Sequence, residues 1–180
     1  TEAKENHIDD NGDGICDHCD SYVEPKQEDE YYQIANAGNL MWFVQQVNEG
    51  QTTINAKLTA DIAMNGIDWT MMSSFAGTFD GNGHTISGLN GHIDMWAQVQ
   101  CHGFIRTLDT GGFVKNLTFT GAKVFNHEGG GAISAIIVYT NNGTVENCVV
   151  KDSNIHHGDY DTIGVVVGAN TGTIRNCASI

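Results

Sequence analysis

Residues 7–20 read HIDDNGDGICDHCD and place five aspartates, one asparagine, two glycines, two histidines and a CxxC within fourteen positions. Hard divalent cations take oxygen ligands, and a twelve-residue calcium loop supplies them at positions 1, 3, 5, 7, 9 and 12, with glycine at 6 for a sharp turn. Counted from Asp9, those positions hold Asp9, Asn11, Asp13, the Ile15 carbonyl, Asp17 and Asp20, and Gly14 falls at 6. Asp20 is a shorter arm than the glutamate usual at position 12, so the expected calcium affinity is weak, on the order of millimolar to tens of micromolar. The same stretch holds a second ligand set. His7, Cys16, His18 and Cys19 would suit zinc, for which a CxxC with a histidine is half of a tetrahedral site. In the third reading, it is a solvated acidic tail with a reactive CxxC and no bound ion.

Other residues able to do chemistry are dispersed. A glycoside hydrolase needs two convergent carboxylates, about 5 to 10 Å apart. The candidates are Asp80 in FDGNGH, Asp94, Asp109, and Asp159 with Asp161 in HHGDYD. Asp80 sits among glycines, which points to a turn. A lyase acting on uronates would need Lys or Arg as base and charge clamp, and Arg106 and Arg175 are the only arginines. His156, His157, Asp159 and Asp161 are close in sequence, but adjacent histidines on an extended chain point to opposite faces. His84, His92 and His102 have no partner at ligand spacing. No catalytic residue is assigned.

The elements that must position these groups are legible from a repeat. NNGTVENCVV (141–150) and NTGTIRNCAS (170–179) match at Gly, Thr, a β-branched residue, Asn and Cys. GGFVKNLTFTGA (111–122) has the same form, and GHTISGLNG (83–91) reads as a fourth copy, with a period of about 28 to 31 residues. Short β-type runs, GFIRTL (103–108), AISAIIVYT (132–140) and IGVVVGAN (163–170), precede the later copies. A unit this short cannot bury its own apolar face, so neighbouring units must stack at the strand spacing of about 4.8 Å. Stacking predicts an inward ladder of Leu89, Leu117, Cys148 and Cys177, preceded by a turn ladder of Asn116, Asn147 and Asn176. The stacked cysteines need only be small apolar residues, although a disulfide between them is also permitted.

Residues 31–70 follow another pattern. Leu40, Phe43, Val44 and Val47 recur at i, i+3, i+4 and i+7, which predicts an amphipathic helix with Asn36 as N-cap and Gly50 as its stop. A strand over 54–64 follows. The helix is placed to cap the open edge that a stack of strands would otherwise expose. The expected fold is therefore all-β, a right-handed parallel β-helix with an N-terminal capping helix and a small metal-loop extension. Residues 1–20 are the loop, 21–30 a linker, and 31–180 the capped N-terminal part of the β-helix. The sequence begins at Thr1 rather than methionine and stops just after a repeat element, so further turns or a C-terminal cap are expected.

NLMWFVQQVNEG, AKLTADIAMNGIDWT, FAGTFDGNGHTISGLNG and the repeated G-T-V/I-x-N-C element resemble the β-helical modules of bacterial cell-surface proteins that carry GLUG-type motifs. The resemblance covers 31–180 and is most specific in GTFDGNGHTISGL (77–89). It implies a secreted or wall-attached bacterial protein, often an adhesin or a substrate-associated module, and brings no shared active site. The opening stretch resembles the single calcium repeats of dockerins and of thrombospondin type 3 domains, although a dockerin carries two such loops and this chain one.

Composition narrows the partners. The net charge is −14 with only eight Lys and Arg, scattered along 180 residues, which argues against nucleic acid, acidic membranes and polyanionic sugars. No apolar run reaches the roughly 18 residues of a membrane span. Five widely spaced cysteines do not make a disulfide framework. The expectation is a non-catalytic module, extracellular or on the bacterial cell surface, that contacts a glycan or a host-surface protein. Trp69, Trp96, Tyr139 and Tyr160 are the candidate stacking residues, with Trp42, Trp69 and Trp96 equally suited to a core. The alternatives are a carbohydrate-active β-helix enzyme and a structural stalk.

Overall fold

The computed structural model describes residues 8–19, 21–64, 66–91, 103–125, 133–156 and 162–180. The described chain is predominantly β-sheet with one helix, and its strands are two to four residues long. One sheet runs Gln27–Glu28, Tyr31–Ile34, Asn55–Leu58, Thr78–Asp80, Phe113–Lys115, Thr144–Glu146 and Thr173–Arg175. A second collects Ile62–Ala63, Thr85–Ser87, Thr118–Thr120, Val149–Lys151 and Ala178–Ser179. A third holds Asn90–Gly91, Lys123–Phe125 and Asn154–His156, and a fourth Met72–Phe75, Ile105–Leu108, Val138–Asn141 and Val167–Asn170. Ile133–Ser134 and Thr162–Ile163 make a two-stranded fifth. Among the described strands every pairing is parallel except that of Gln27–Glu28 with Tyr31–Tyr32, and strands far apart in sequence are neighbours in space. Outside the strands, the bridge of Ile15 with Tyr22 is also antiparallel.

Alternation decides what is buried. Phe79, Val114 and Val145 pair in register with inward side chains that are fully buried, while their neighbours Asp80, Lys115 and Glu146 point outward. Ile86, Phe119 and Val150 do the same in the second sheet. Between the sheets runs a chain of rings. Phe43 meets Phe75 and Phe79 edge-on at 6.0 Å, Phe79 meets Phe104 at 5.0 Å, and Phe104 meets Phe119 at 5.2 Å. These contacts belong to one continuous apolar cluster.

The helix spans Ala37–Asn48, and Leu40, Phe43, Val44 and Val47 form its buried face as the spacing requires. Asn36 caps it, its Oδ1 accepting from Asn39 N at 2.8 Å, and Gly50 leaves it at φ +109°. The helix packs on Met72–Phe75, the edge strand of the fourth sheet. There Asn48 imitates a partner strand: its Nδ2 donates to the Met71 carbonyl at 3.1 Å and its Oδ1 accepts from Ser73 N at 2.8 Å. The helix thus covers this edge strand. The single strand predicted over 54–64 is instead two, because the chain turns a corner at 59–61, where Thr59 N bonds the Ile34 carbonyl at 2.9 Å.

Two expectations about stacking are resolved differently. Asn116, Asn147 and Asn176 all adopt φ between 52° and 54°, and their amides bond successively, Asn176 to Asn147 at 3.2 Å and Asn147 to Asn116 at 3.1 Å. Asn116 continues the ladder to Asp80 Oδ1 at 3.0 Å. Leu117 and Cys148 are buried at the corner these asparagines form, with Cys177 half-buried beside them. Leu89 is not part of that ladder. It precedes Asn90, which pairs with Lys123, so Leu89 lies level with Ala122 at the next corner. The cause is a longer pass. Phe79 and Val114 pair 35 residues apart, against 31 for Val114 and Val145 and 29 for Val145 and Ile174. The four residues Gly81 to His84, where only Asn116 and Leu117 stand in the next pass, supply two of the extra residues. The fourth copy is therefore led by Phe79-Asp80, opposite Val114-Lys115, and not by Ile86-Ser87.

Candidate functional site

Residues 8–19 form a tight loop held by its own acidic side chains. Asp9 accepts three backbone N–H bonds, from Gly12 at 2.8 Å and Asp13 at 3.1 Å on Oδ1 and from Gly14 at 2.8 Å on Oδ2. Asn11 Oδ1 accepts from Asp13 N at 2.9 Å, and Asp13 Oδ1 accepts from Ile15 N at 2.8 Å. Asp17 Oδ2 closes the loop by accepting from Asp10 N at 2.8 Å. Short Asx side chains make such local bonds readily, which is why they alternate through this turn. A carboxylate oxygen has two lone pairs, so Asp9 Oδ1, with two N–H donors, is filled, whereas Asp9 Oδ2, Asp13 Oδ1 and Asp17 Oδ2, with one each, keep acceptor capacity. Asp20 and His7 lie outside the described residues. Among the described residues, no three His, Cys, Asp or Glu side chains converge at metal-ligand distance. Of the sulfur and imidazole set, Cys16 is buried while His18 and Cys19 are exposed.

The loop is seated on the helix. Gly38 N, an N–H of the helix's first turn with no partner inside the helix, donates to the Asp13 carbonyl at 3.0 Å. Asn36 Nδ2 donates to the Gly12 carbonyl at 2.9 Å, and Asn39 Nδ2 to the Val23 carbonyl at 3.0 Å. Ile15 bridges Tyr22, and Val23 N donates to the Gly14 carbonyl at 2.7 Å. The approach is close enough to demand glycine on both sides. A Cβ on Gly38 would stand 2.1 Å from the Gly14 carbonyl, and one on Gly14 2.1 Å from Asn36 Oδ1, where φ is already +81°. A groove of about 380 Å³ runs beside this contact, lined in part by Asp13, Ile15, Asn36, Asp61 and Ile62.

The remaining sequence candidates are mostly engaged in structure. Asp80 accepts from Asn82 N at 2.8 Å and Asn116 Nδ2 at 3.0 Å and pairs with Lys115 at 3.3 Å. Partial burial pushes its carboxyl up, but these donors and the Lys115 charge together outweigh that and hold it below the usual range. Asp109 accepts from Ser74 Oγ. Arg175 pairs with Glu146 at 2.8 Å, and Arg106 is exposed. His84 faces Asp61 at 3.2 Å. His156 ends a strand, whereas Asp94, His92, His102, His157, Asp159 and Asp161 lie outside the described residues.

Trp69 is not a surface aromatic. Its ring stacks on Phe104 at 4.9 Å, its Nε1 donates to the Gly103 carbonyl at 3.1 Å, and it is 4% exposed. Burial of so large a ring with its N–H satisfied makes it core. Tyr139 is half-buried, as is Trp42, which packs against Tyr32; Trp96 and Tyr160 lie outside the described residues.

One constellation has no counterpart in the sequence reading. Lys57, Asp80, Lys115, Glu146 and Arg175 pair in register across one outward face, alternating in sign. Charges that look scattered along the chain are thus neighbours, and only the strand register reveals it.

Comparison with protein-family models, with curated proteins and with solved structures returns no match for this chain. Among the described residues, no helix is long and apolar enough to cross a membrane.

Proposed function

We propose that this chain is a non-catalytic bacterial surface module: a right-handed parallel β-helix whose N-terminal cap is held by a calcium loop, presenting a rigid face to a glycan or a host-surface protein. The β-helix reading rests on the strand succession, in which the chain visits the same sheets in the same order and pairs in parallel each time. Connections between parallel neighbours of one sheet are right-handed in about 98% of cases, which supports the hand. GLUG-type modules share this sequence character, and the reading of a secreted or wall-attached location follows from that resemblance.

The observation that carries the calcium assignment is the alternation of Asp9, Asn11 and Asp13, each with an oxygen fixed by a loop N–H. The first, third and fifth positions are those at which a calcium loop supplies side-chain oxygens. The groove beside Asp13 offers a sugar hydroxyl a path to the cation. A non-catalytic role is supported by Asp80 and Arg175, whose partners tie them into the sheet.

The test is elemental analysis of the purified chain, then calcium titration of the parent and of Asp9→Ala/Asp13→Ala. Calcium bound by the parent and lost in the variant is the expected result. Zinc at one per chain, kept in that variant and lost with Cys16→Ser, overturns it. Retention of the calcium-loaded chain on a panel of immobilised glycans and surface glycoproteins is expected; no retention on any leaves the stalk reading in its place.

A further inference from the structure

Cys148 and Cys177 occupy the same corner of successive passes of the chain, each directly after an asparagine at φ 52°. Val149 and Ala178, the residues that follow, pair in register, and Ala178 N donates to the Cys148 carbonyl at 3.0 Å. The side chains repeat as well. Cys148 Sγ donates to the carbonyls of Glu146 at 3.2 Å and Val114 at 3.8 Å, and Cys177 Sγ to those of Arg175 at 3.3 Å and Val145 at 3.6 Å. Matching partners mean matching orientations, so the two sulfurs stand one above the other. Parallel neighbours in register are about 4.8 Å apart, inside the Cα separation of roughly 4.4 to 6.8 Å that a disulfide spans. Leu117 fills the same corner one pass earlier, so packing by itself does not require sulfur here.

We propose that Cys148 and Cys177 are a thiol–disulfide site, closed by a low-molecular-weight disulfide RSSR into a covalent bond between successive passes of the chain. Cys177 is the half-buried member and Cys148 the fully buried one. The Cys177 thiolate attacks one sulfur of RSSR, forming a mixed disulfide and expelling RS⁻. Cys148 then gives up its proton, attacks Cys177 Sγ and expels the second RS⁻. Two electrons pass from the protein thiols to RSSR, and the two thiol protons leave with the products as two RSH. The electrostatics favour this order. The neighbouring Cys148 thiol, as a donor to the Cys177 thiolate, pulls Cys177 down to about 6. The same interaction, with burial, pushes Cys148 up. Once Cys177 is in the mixed disulfide that interaction no longer exists, and Cys148 is freed to act as the resolving thiol.

The experiment is incubation of the whole chain with oxidised glutathione at neutral pH, quenching by alkylation, and peptide mapping without reduction. The expected result is a peptide pair cross-linked through Cys148 and Cys177, a loss of two titratable thiols, and a melting temperature higher than in the reduced chain. Cys148→Ser is expected to trap glutathione on Cys177 as a stable adduct. Accumulation of that adduct in the parent without a cross-link overturns the proposal, as does a disulfide confined to Cys16 and Cys19. The parent result needs no variant, so it stands even if a substitution fails to fold.

Discussion

Replacing Gly38 with alanine separates a loop that is part of the cap from one merely tethered beside it. In a helix with nothing against this position, Gly→Ala stabilises by about 0.8–1.0 kcal/mol, because alanine loses less backbone entropy on folding. Here the added methyl would stand 2.1 Å from the Gly14 carbonyl, which is backbone and cannot rotate away. Forcing an extra methyl into packed backbone costs roughly 1–3 kcal/mol. If the loop lifts instead, the bond from Gly38 N to the Asp13 carbonyl and that from Asn36 Nδ2 to the Gly12 carbonyl are broken, at about 0.5–1.5 kcal/mol each. Both routes offset the propensity gain or exceed it, so a net destabilisation of up to about 2 kcal/mol is expected. For a chain of this size that corresponds to a fall of up to roughly 8 °C in melting temperature. On the proposed calcium loop, affinity for the ion should fall with it, since a displaced loop binds only after reseating. Differential scanning calorimetry with and without calcium reads both quantities. A melting temperature that rises in Gly38→Ala would refute the docked arrangement, because the propensity term would then act unopposed.

The asparagine ladder yields a paired prediction: Asn147→Gly keeps the left-handed backbone and loses two side-chain bonds, for about 1–2 kcal/mol in urea unfolding. Asn147→Ala should cost about 1 kcal/mol more, the penalty of a Cβ at positive φ; equal losses would show that φ is not constraining this corner. Asp80 governs part of the acid limb. Its folded carboxyl is held below its ordinary value of 3.8, so its contribution is present above that pH and lost as pH falls through the lower folded value. Asp80→Asn should flatten stability against pH below about 4, and an unchanged acid limb in equilibrium unfolding would assign that limb to other groups.

Local chemistry was legible in the sequence wherever one element supplies all the partners. The spacing of Leu40, Phe43, Val44 and Val47 defines one helical face, Asn36 offers the capping oxygen, and Gly50 the exit. Asn116, Asn147 and Asn176 announced their ladder because the copies that carry them are nearly equal in length. The alternating oxygens of residues 9–17 likewise bond within the loop itself.

Where partners come from different passes of the chain, only the tertiary structure decided. Leu89 falls at another corner because Phe79 and Val114 pair 35 residues apart, and a fixed period of 28 to 31 has no term for so long a pass. Trp69 was as compatible with a glycan face as with the core until Phe104 and the Gly103 carbonyl were placed against it. The charges from Lys57 to Arg175 became a ladder only through strand register. The contact of Gly14 with Gly38 depends on the angle at which the loop meets the helix. Hydrophobic period and turn chemistry act over a few residues, whereas register and docking are settled by which surfaces fit once the chain has returned on itself.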